Sequence, residues 1–302
     1  MAKVILAVAV GETATQVIFN TANPNVSAVR PYIDGLIFWL GSQNRGDPPQ
    51  PDNTPPQYQI PGGYSIIYRE RPVGNASLDS AFQDATALQA DLWFCMSTSV
   101  AKAADRVAKA QSPTKPIVAI VSDPFSEGFG DNVCGISASR DRLATRCLRE
   151  FKKRTSVKNV FVLHREGYPP SDKARQWIGK KNVELVAIAD TDSTQAMQNK
   201  ITTRIVNSTK PNKGVLVLPA DRFFGVADQI THWTGNIATF WSTPDFPARA
   251  IGGFGYPQKK CGQFMAERVA IIWKNLADNP AQDPMPDPKW VAMDKDDLDG
   301  RP

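Results

Sequence analysis

Short apolar runs bounded by turn residues alternate with helix-period segments along almost the whole 302-residue chain. This alternation is the tightest constraint on the fold, because strand–helix repetition is satisfied by βαβ units around a mainly parallel sheet. Strands are expected at Val4–Val10 or Gln16–Phe19, Tyr64–Tyr68, Leu92–Met96, Ile117–Val121, Val160–Leu163, Val183–Ile188, Val215–Leu218 and Ile237–Trp241. Several of these are unbroken apolar runs, the signature of strands covered on both faces. Helices are expected at Val26–Leu40, Leu78–Gln89, Ser99–Lys109, Arg140–Lys153, Ser171–Lys180, Thr194–Thr203, Phe224–His232 and Gly262–Leu276.

The pattern divides into two similar halves, each long enough for a core of its own. The predicted fold class is therefore α/β, with two Rossmann-like lobes of parallel sheet joined by a hinge. The glycine-rich stretch Phe125–Gly130 is the first candidate crossing between lobes, and Thr243–Pro247 the second. A short strand at Arg249–Gly252 and a long helix would then return to the first lobe. The expected division is 1–125 plus 248–278 for the N-terminal lobe, 126–247 for the C-terminal lobe, and 279–302 as a Pro- and Asp-rich surface tail. Residues 46–61, also rich in proline, read as an extended loop.

The search for chemistry excludes more than it finds. There is no GxSxG elbow, no GxxxxGK[ST] phosphate loop and no HExxH helix. Gly252-Gly253-Phe254-Gly255 is glycine-rich but opens no GxGxxG turn, so no cofactor is expected. Cys95, Cys134, Cys147 and Cys261 have no zinc or CxxC spacing and are expected as buried apolar residues, their disulfide state left open. No metal site is expected. The net charge of +5 is modest, and groups such as Lys152-Lys153-Arg154 ordinarily mark a solvated helix face, so no nucleic-acid partner is expected. No run reaches the roughly 20 apolar residues that span a bilayer. Lys3 and the short run Val4–Val10 lead into Gly11-Glu12-Thr13 without a cleavage signal. A strand is the expected reading there, and a cytoplasmic location, or a periplasmic one if a leader is missing.

Polar residues do cluster where expected strands end. Ser97-Thr98-Ser99 follow the strand at Leu92, Ser122-Asp123 the strand at Ile117, and His164-Arg165 with Tyr168 the strand at Val160. Asp221-Arg222 follow the strand at Val215, and Ser242 the strand ending at Trp241. Such residues are routine helix caps, but five loops in register across two halves suit a ligand site at the carboxyl edges of two sheets.

From about Asn23 to Asn275 the chain resembles the ABC-transporter substrate-binding proteins of the type I periplasmic-binding fold, in particular the branch associated with tryptophan-like ligands. The stretches that carry the likeness are Asn23-Pro24 with Tyr32–Leu36, Met96–Ser99, Pro116–Val118 with Ser122–Pro124, Val133–Ser137, Val217–Asp221 and Gly255–Gly262. The resemblance implies two lobes that close on a small organic metabolite, amino-acid-like, aromatic or carboxylate-bearing, for delivery to ABC permease subunits. It implies that Thr98 caps a ligand carboxylate and that Asp123 and Asp221 line the cleft; Asn23, Ser97, Ser99, Ser122, His164, Arg165, Tyr168, Arg222, Ser242 and Tyr256 complete the candidate ligand-binding set. The family's Tyr-Asn-Pro reads His164-Arg165-Glu166 here, and its late Gly-x-Asp reads Gly255-Tyr256-Pro257. Loss of that acid and gain of Arg165 beside Arg222 would suit an anionic or aromatic ligand. A cytoplasmic sensor on the same fold is the alternative. An enzyme using His164, Asp123 or Asp221 is the weakest reading, and the chain is not expected to be one.

Overall fold

The computed structural model describes residues 3–10, 14–19, 33, 35–36, 65–72, 74–110, 115–176, 182–220, 222–223, 226–243, 246–278, 283–293 and 299–301. In chain order the strands β1 (Val4–Val10), β2 (Thr15–Phe19) and β3 (Ser65–Arg71) come first. The helices α1 (Asn75–Gln83) and α2 (Ala85–Gln89), β4 (Leu92–Cys95), α3 (Thr98–Lys109), β5 (Ile117–Val121), α4 (Pro124–Glu127) and β6 (Val133–Ser137) follow. Then come α5 (Arg140–Arg154), β7 (Asn159–Arg165), α6 (Asp172–Gln176), β8 (Val183–Ile188), α7 (Thr194–Ile201) with a π-turn at Thr202–Val206, and β9 (Lys213–Val217). The last elements are α8 (Ala227–Trp233), β10 (Ala238–Trp241), β11 (Gly252–Gly255), α9 (Gln258–Asp278), β12 (Trp290–Ala292) and β13 (Asp299–Arg301). Of the helix expected over 26–40, Ile33, Gly35 and Leu36 are described, and they are helical and buried.

The chain forms two compact units, residues 1–138 with 258–293 and residues 139–257 with 294–302. The first unit holds a seven-stranded sheet of order β12-β6-β5-β4-β1-β3-β2, the second a six-stranded sheet of order β13-β11-β10-β9-β7-β8. Both are parallel except for one antiparallel edge strand each, β2 and β13. Each sheet therefore has two Rossmann-like runs that wind outward from a single reversal, between β1 and β4 in one and between β7 and β9 in the other. Strands covered on both faces need apolar residues at every position, which is why β1 has Ile5, Leu6, Ala7 and Val8 all fully enclosed. In the first unit the Trp93 ring packs against Phe82 at a tilt of 46° with centroids 4.9 Å apart, and its indole N–H donates to the Ala87 carbonyl at 3.0 Å. Ala101, Ala103, Ala104 and Ala108 let α3 lie close to this core. In the second unit Phe161, Leu163, Val215, Val217 and Trp241 build the equivalent layer.

The division of the chain differs from the expected one in three places. Phe125–Gly130 is not a crossing; α4 and its turn stay in the first unit, because Val133–Ser137 is a further strand of that sheet. Thr243 and Phe246–Pro247 stay in the second unit, and the following strand is Gly252–Gly255, paired to β10 rather than returned to the first sheet. The helix after it, α9, does pack on β5 and β6. The tail is not a surface appendage: β12 extends the first sheet and β13 the second.

The helix expected over Leu78–Gln89 is two helices, broken at Asp84. This residue is extended (φ −78°, ψ 165°), and its carboxylate accepts from the Ala87 N–H at 2.8 Å to cap α2. The same carboxylate lies 2.8 Å from the guanidinium of Arg69, which is 1% exposed and also donates to the Ala81 carbonyl at 2.7 Å. Burial works to raise the Asp84 carboxyl, but the Ala87 N–H and the Arg69 guanidinium outweigh it and hold the group below the usual carboxylate range. Unfolded chain thus binds protons more readily here, so the stability Asp84 supplies is present above its ordinary pKa and lost as pH falls below it. Asp84→Ala removes a cap and the carboxylate that pairs with the buried Arg69, with an expected loss of about 3–4 kcal/mol in urea unfolding. Asp84→Asn, which keeps a capping oxygen, is expected to lose less.

Candidate functional site

In open α/β sheets ligands bind beyond the carboxyl ends of the strands, at the crevice where strand order reverses. In the first unit that crevice is flanked by the segment after β4. Ser97 is the helix cap, extended (φ −170°, ψ 166°) and 9% exposed, its hydroxyl accepting from the Val100 N–H at 3.3 Å. Thr98 is the first residue of α3, and its hydroxyl oxygen accepts from the Ser122 N–H at 3.2 Å. The cap is thus Ser97, and Thr98 ties the end of β4 to the end of β5. Both hydroxyls keep a hydrogen to donate. Ser99 and Ser122 are half-buried beside them, and Asp123 is exposed at the start of α4, its side chain making no cap bond.

In the second unit the polar edge converges on a residue that the sequence reading overlooked, Asp190. It follows β8, and its carboxylate forms an ion pair with Arg165 at the end of β7. Its backbone carbonyl accepts from Arg222 Nη1 at 2.6 Å. The Arg165 guanidinium also lies over the Tyr168 ring, 5.0 Å from its centroid, and the Tyr168 N–H donates to the Arg165 carbonyl at 3.0 Å. Arg165 is thus already paired with a carboxylate, whereas Arg222 is held by a backbone carbonyl alone. Nearby Asp192 is held below the usual carboxylate range, chiefly by the hydrogen bond from Lys200. A sequence signal for Asp190 existed, since it stands just past an expected strand end, as Ser122 and Arg165 do.

His164 is buried at 5% exposure, with Nδ1 2.8 Å from the Arg165 carbonyl. Ser242 follows β10 and is 3% exposed; its N–H donates to the Val217 carbonyl at 3.0 Å. Its hydroxyl has no hydrogen-bond partner, and the enclosed Nε of Arg222 also has none among the described residues. The glycine-rich strand beside it has a packing purpose. A Cβ on Gly253 would lie 1.9 Å from the Thr243 carbonyl oxygen, and one on Gly255 2.5 Å from that of Ser242, so β11 can approach this edge only without side chains. Tyr256 is buried just beyond it. Asn23 and Asp221 lie outside the described residues.

Neither protein-family models nor curated protein sequences give a significant match to the chain. Solved structures do. A conserved domain protein from Vibrio cholerae superposes with a TM-score of 0.65 at 15% identity, over 99% of this chain and 90% of that one. An ABC domain in complex with L-Trp from Streptococcus pneumoniae gives 0.62 at 13% identity, covering 96% and 89%. A LacI family transcriptional regulator from Enterococcus faecium with bound ribose gives 0.57 at 13% identity, covering 99% and 97%. The chain has the type I periplasmic-binding fold. Within that fold the described residues hold no group of three or more His, Cys, Asp or Glu able to bind a metal, and no helix long and apolar enough to cross a membrane. All four cysteines are buried and unpaired with one another. Burial pushes the Cys134 thiol up to about 12 and those of Cys95 and Cys147 well up, so these three offer no thiolate. What the two edges do present is a set of hydroxyls, carboxylates, a histidine and a guanidinium over an aromatic ring.

Proposed function

We propose that this chain is a solute-binding protein that captures a small organic metabolite at the carboxyl edges of its two sheets by hinge closure, for ABC-type uptake, without turning the ligand over. The observation that carries the reading is the enclosed Ser242 hydroxyl and Arg222 Nε, both left without partners among the described residues, Arg222 in the segment after β9 at the second reversal point and Ser242 at the end of the neighbouring β10. Polar atoms sealed from water without a partner are unfavourable, and a ligand with an acceptor and a hydroxyl or carbonyl group relieves both. The Arg165–Tyr168 stack adds a flat surface that suits an aromatic or planar ligand.

The test is a thermal-melt screen against amino acids, aromatic acids and sugars. A ligand present at about 100 times its Kd adds about 2.7 kcal/mol, which raises Tm by roughly 5–10 °C. Ser242→Ala is expected to leave the ligand-free Tm unchanged, because the hydroxyl makes no bond there, and to shrink the ligand-induced rise. A panel that moves nothing, or a Ser242→Ala protein that responds like wild type, counts against the reading.

A sensor role on the same fold is the second reading, supported by the likeness to a LacI family regulator. It separates from transport by partner: a sensor's ligand changes its association with a regulatory protein, whereas an uptake protein's ligand changes its association with permease subunits.

A further inference from the structure

The charge of this chain is not spread evenly. Helix α5 carries seven Arg and Lys against one Asp and one Glu, which leaves 28 of each sign in the rest of the sequence, so the net +5 of the chain is the net charge of this one helix. The inner side of α5 is apolar, with Leu143, Ala144, Cys147, Leu148 and Phe151 buried. At 3.6 residues per turn, Arg142, Arg146, Arg149 and Lys153 share the opposite side, in a row about 16 Å long. Arg142 and Lys153 are exposed, Arg146 and Arg149 half-buried. Glu150 sits to one side and is already taken by Lys153 at 3.0 Å and Arg154 at 3.7 Å. Arg142, Arg146 and Lys152 form no ion pair with any described residue.

This arrangement is unfavourable for the helix alone. Like charges at spacings of four and three repel along a helix face, and Arg142 in the first turn opposes the helix dipole, although Asp141 there and Lys152, Lys153 and Arg154 in the last turn complement it. An external row of anions reverses the sign of both effects. We infer that the outer face of α5 is a docking surface for an acidic protein segment whose carboxylates repeat at helical spacing. Five of the seven cations are arginine, whose planar fork pairs two-to-two with a carboxylate. A bilayer is a poorer fit, since a helix lying on lipid needs apolar side chains on its outward face. The exposed large hydrophobics among the described residues are Leu88, Phe125 and Ile251, none of them on α5. Nucleic acid is also a poorer fit, because the cations form a single ridge in a chain otherwise balanced in charge. The inference is independent of the proposed ligand site.

The experiment uses the full chain and a synthetic helical peptide bearing Glu at i, i+4, i+7 and i+11, against a scrambled peptide of equal composition, read by fluorescence anisotropy at low and physiological salt. The striped peptide is expected to bind about tenfold more tightly than the scrambled one, with the preference abolished in R142E/R146E/R149E and reduced in R142K/R146K/R149K. Equal binding of the two peptides overturns the inference. So does tighter binding to phosphatidylserine vesicles or to duplex DNA that the charge reversal removes. Should the reversed protein fail to fold, R142Q/R146Q carries the same comparison.

Discussion

A chain ending at Asp278 is expected to melt about 10–15 °C below the full-length protein, although the segment removed reads as a polar tail. The segment 283–293 is fastened to the first unit along its whole length. Asn275 Nδ2 donates to the Pro284 carbonyl at 3.0 Å, and Lys289 pairs with Asp131 at 2.9 Å. Trp290 stacks at 5.8 Å on Phe129, and the backbone of 289–293 pairs along β6 from Gly135 to Ser137. Met285 and Met293 are buried, the latter with its sulfur 3.6 Å from Cys261 Sγ. Two enclosed methionines supply about 1.5–3 kcal/mol each, and loss of the edge strand and stacking brings the total to about 5 kcal/mol. A chain ending at Met293 keeps all of this and loses only β13, so its Tm is expected to fall by a few degrees at most. Differential scanning calorimetry of the two truncations checks the contrast; near-identical melts for the shorter chain and the full one would show that the segment contributes nothing.

The tail was misread because its strands are three residues long and lie at sheet edges. A strand that pairs on one side and packs on one face needs no apolar run, so the pattern that exposed β1, β4 and β5 is absent there. The central parallel strands were legible for the opposite reason. They are covered on both faces, and only unbroken apolar stretches survive that environment. The break at Asp84 was invisible because Asn75–Gln89 contains no Gly or Pro to announce it. What ends the first helix is a buried arginine arriving from β3, fifteen residues earlier in the chain.

The candidate site was legible in position but not in pairing. Strand ends can be read from a sequence, so Ser97, Thr98, Ser122, Arg165, Arg222 and Ser242 were found where the sheets stop. What each side chain does there depends on contacts across long separations. Asp190 meets Arg165 across 25 residues through its carboxylate and Arg222 across 32 through its backbone carbonyl, which gathers two expected anion-binding groups around one residue and neutralises the first of them.

The missed strand β6 leads to the other large expected effect. Val133–Ser137 did not read as a strand because Gly135 and Ser137 leave it only three apolar side chains. That glycine has φ 149°, in the region that L side chains avoid, and a Cβ there would lie 1.8 Å from the Ala119 carbonyl oxygen and 2.8 Å from the Ala119 nitrogen. The obstruction is the backbone of β5 itself, which no rotamer change can clear. Gly135→Ala is therefore expected to cost about 4 kcal/mol or more, either by parting β5 from β6 or by re-setting the strand. The neighbouring Ile136→Val, which trims one buried methyl group, is expected to cost about 0.5–1.5 kcal/mol. Beyond stability, β5 runs directly into Ser122, whose N–H is held by Thr98, so any folded fraction of the Gly135→Ala protein should lose part of the ligand-induced rise in Tm. Urea melts of the two variants decide it: if Gly135→Ala proves as mild as Ile136→Val, then β5 and β6 are not in contact as closely as this geometry requires.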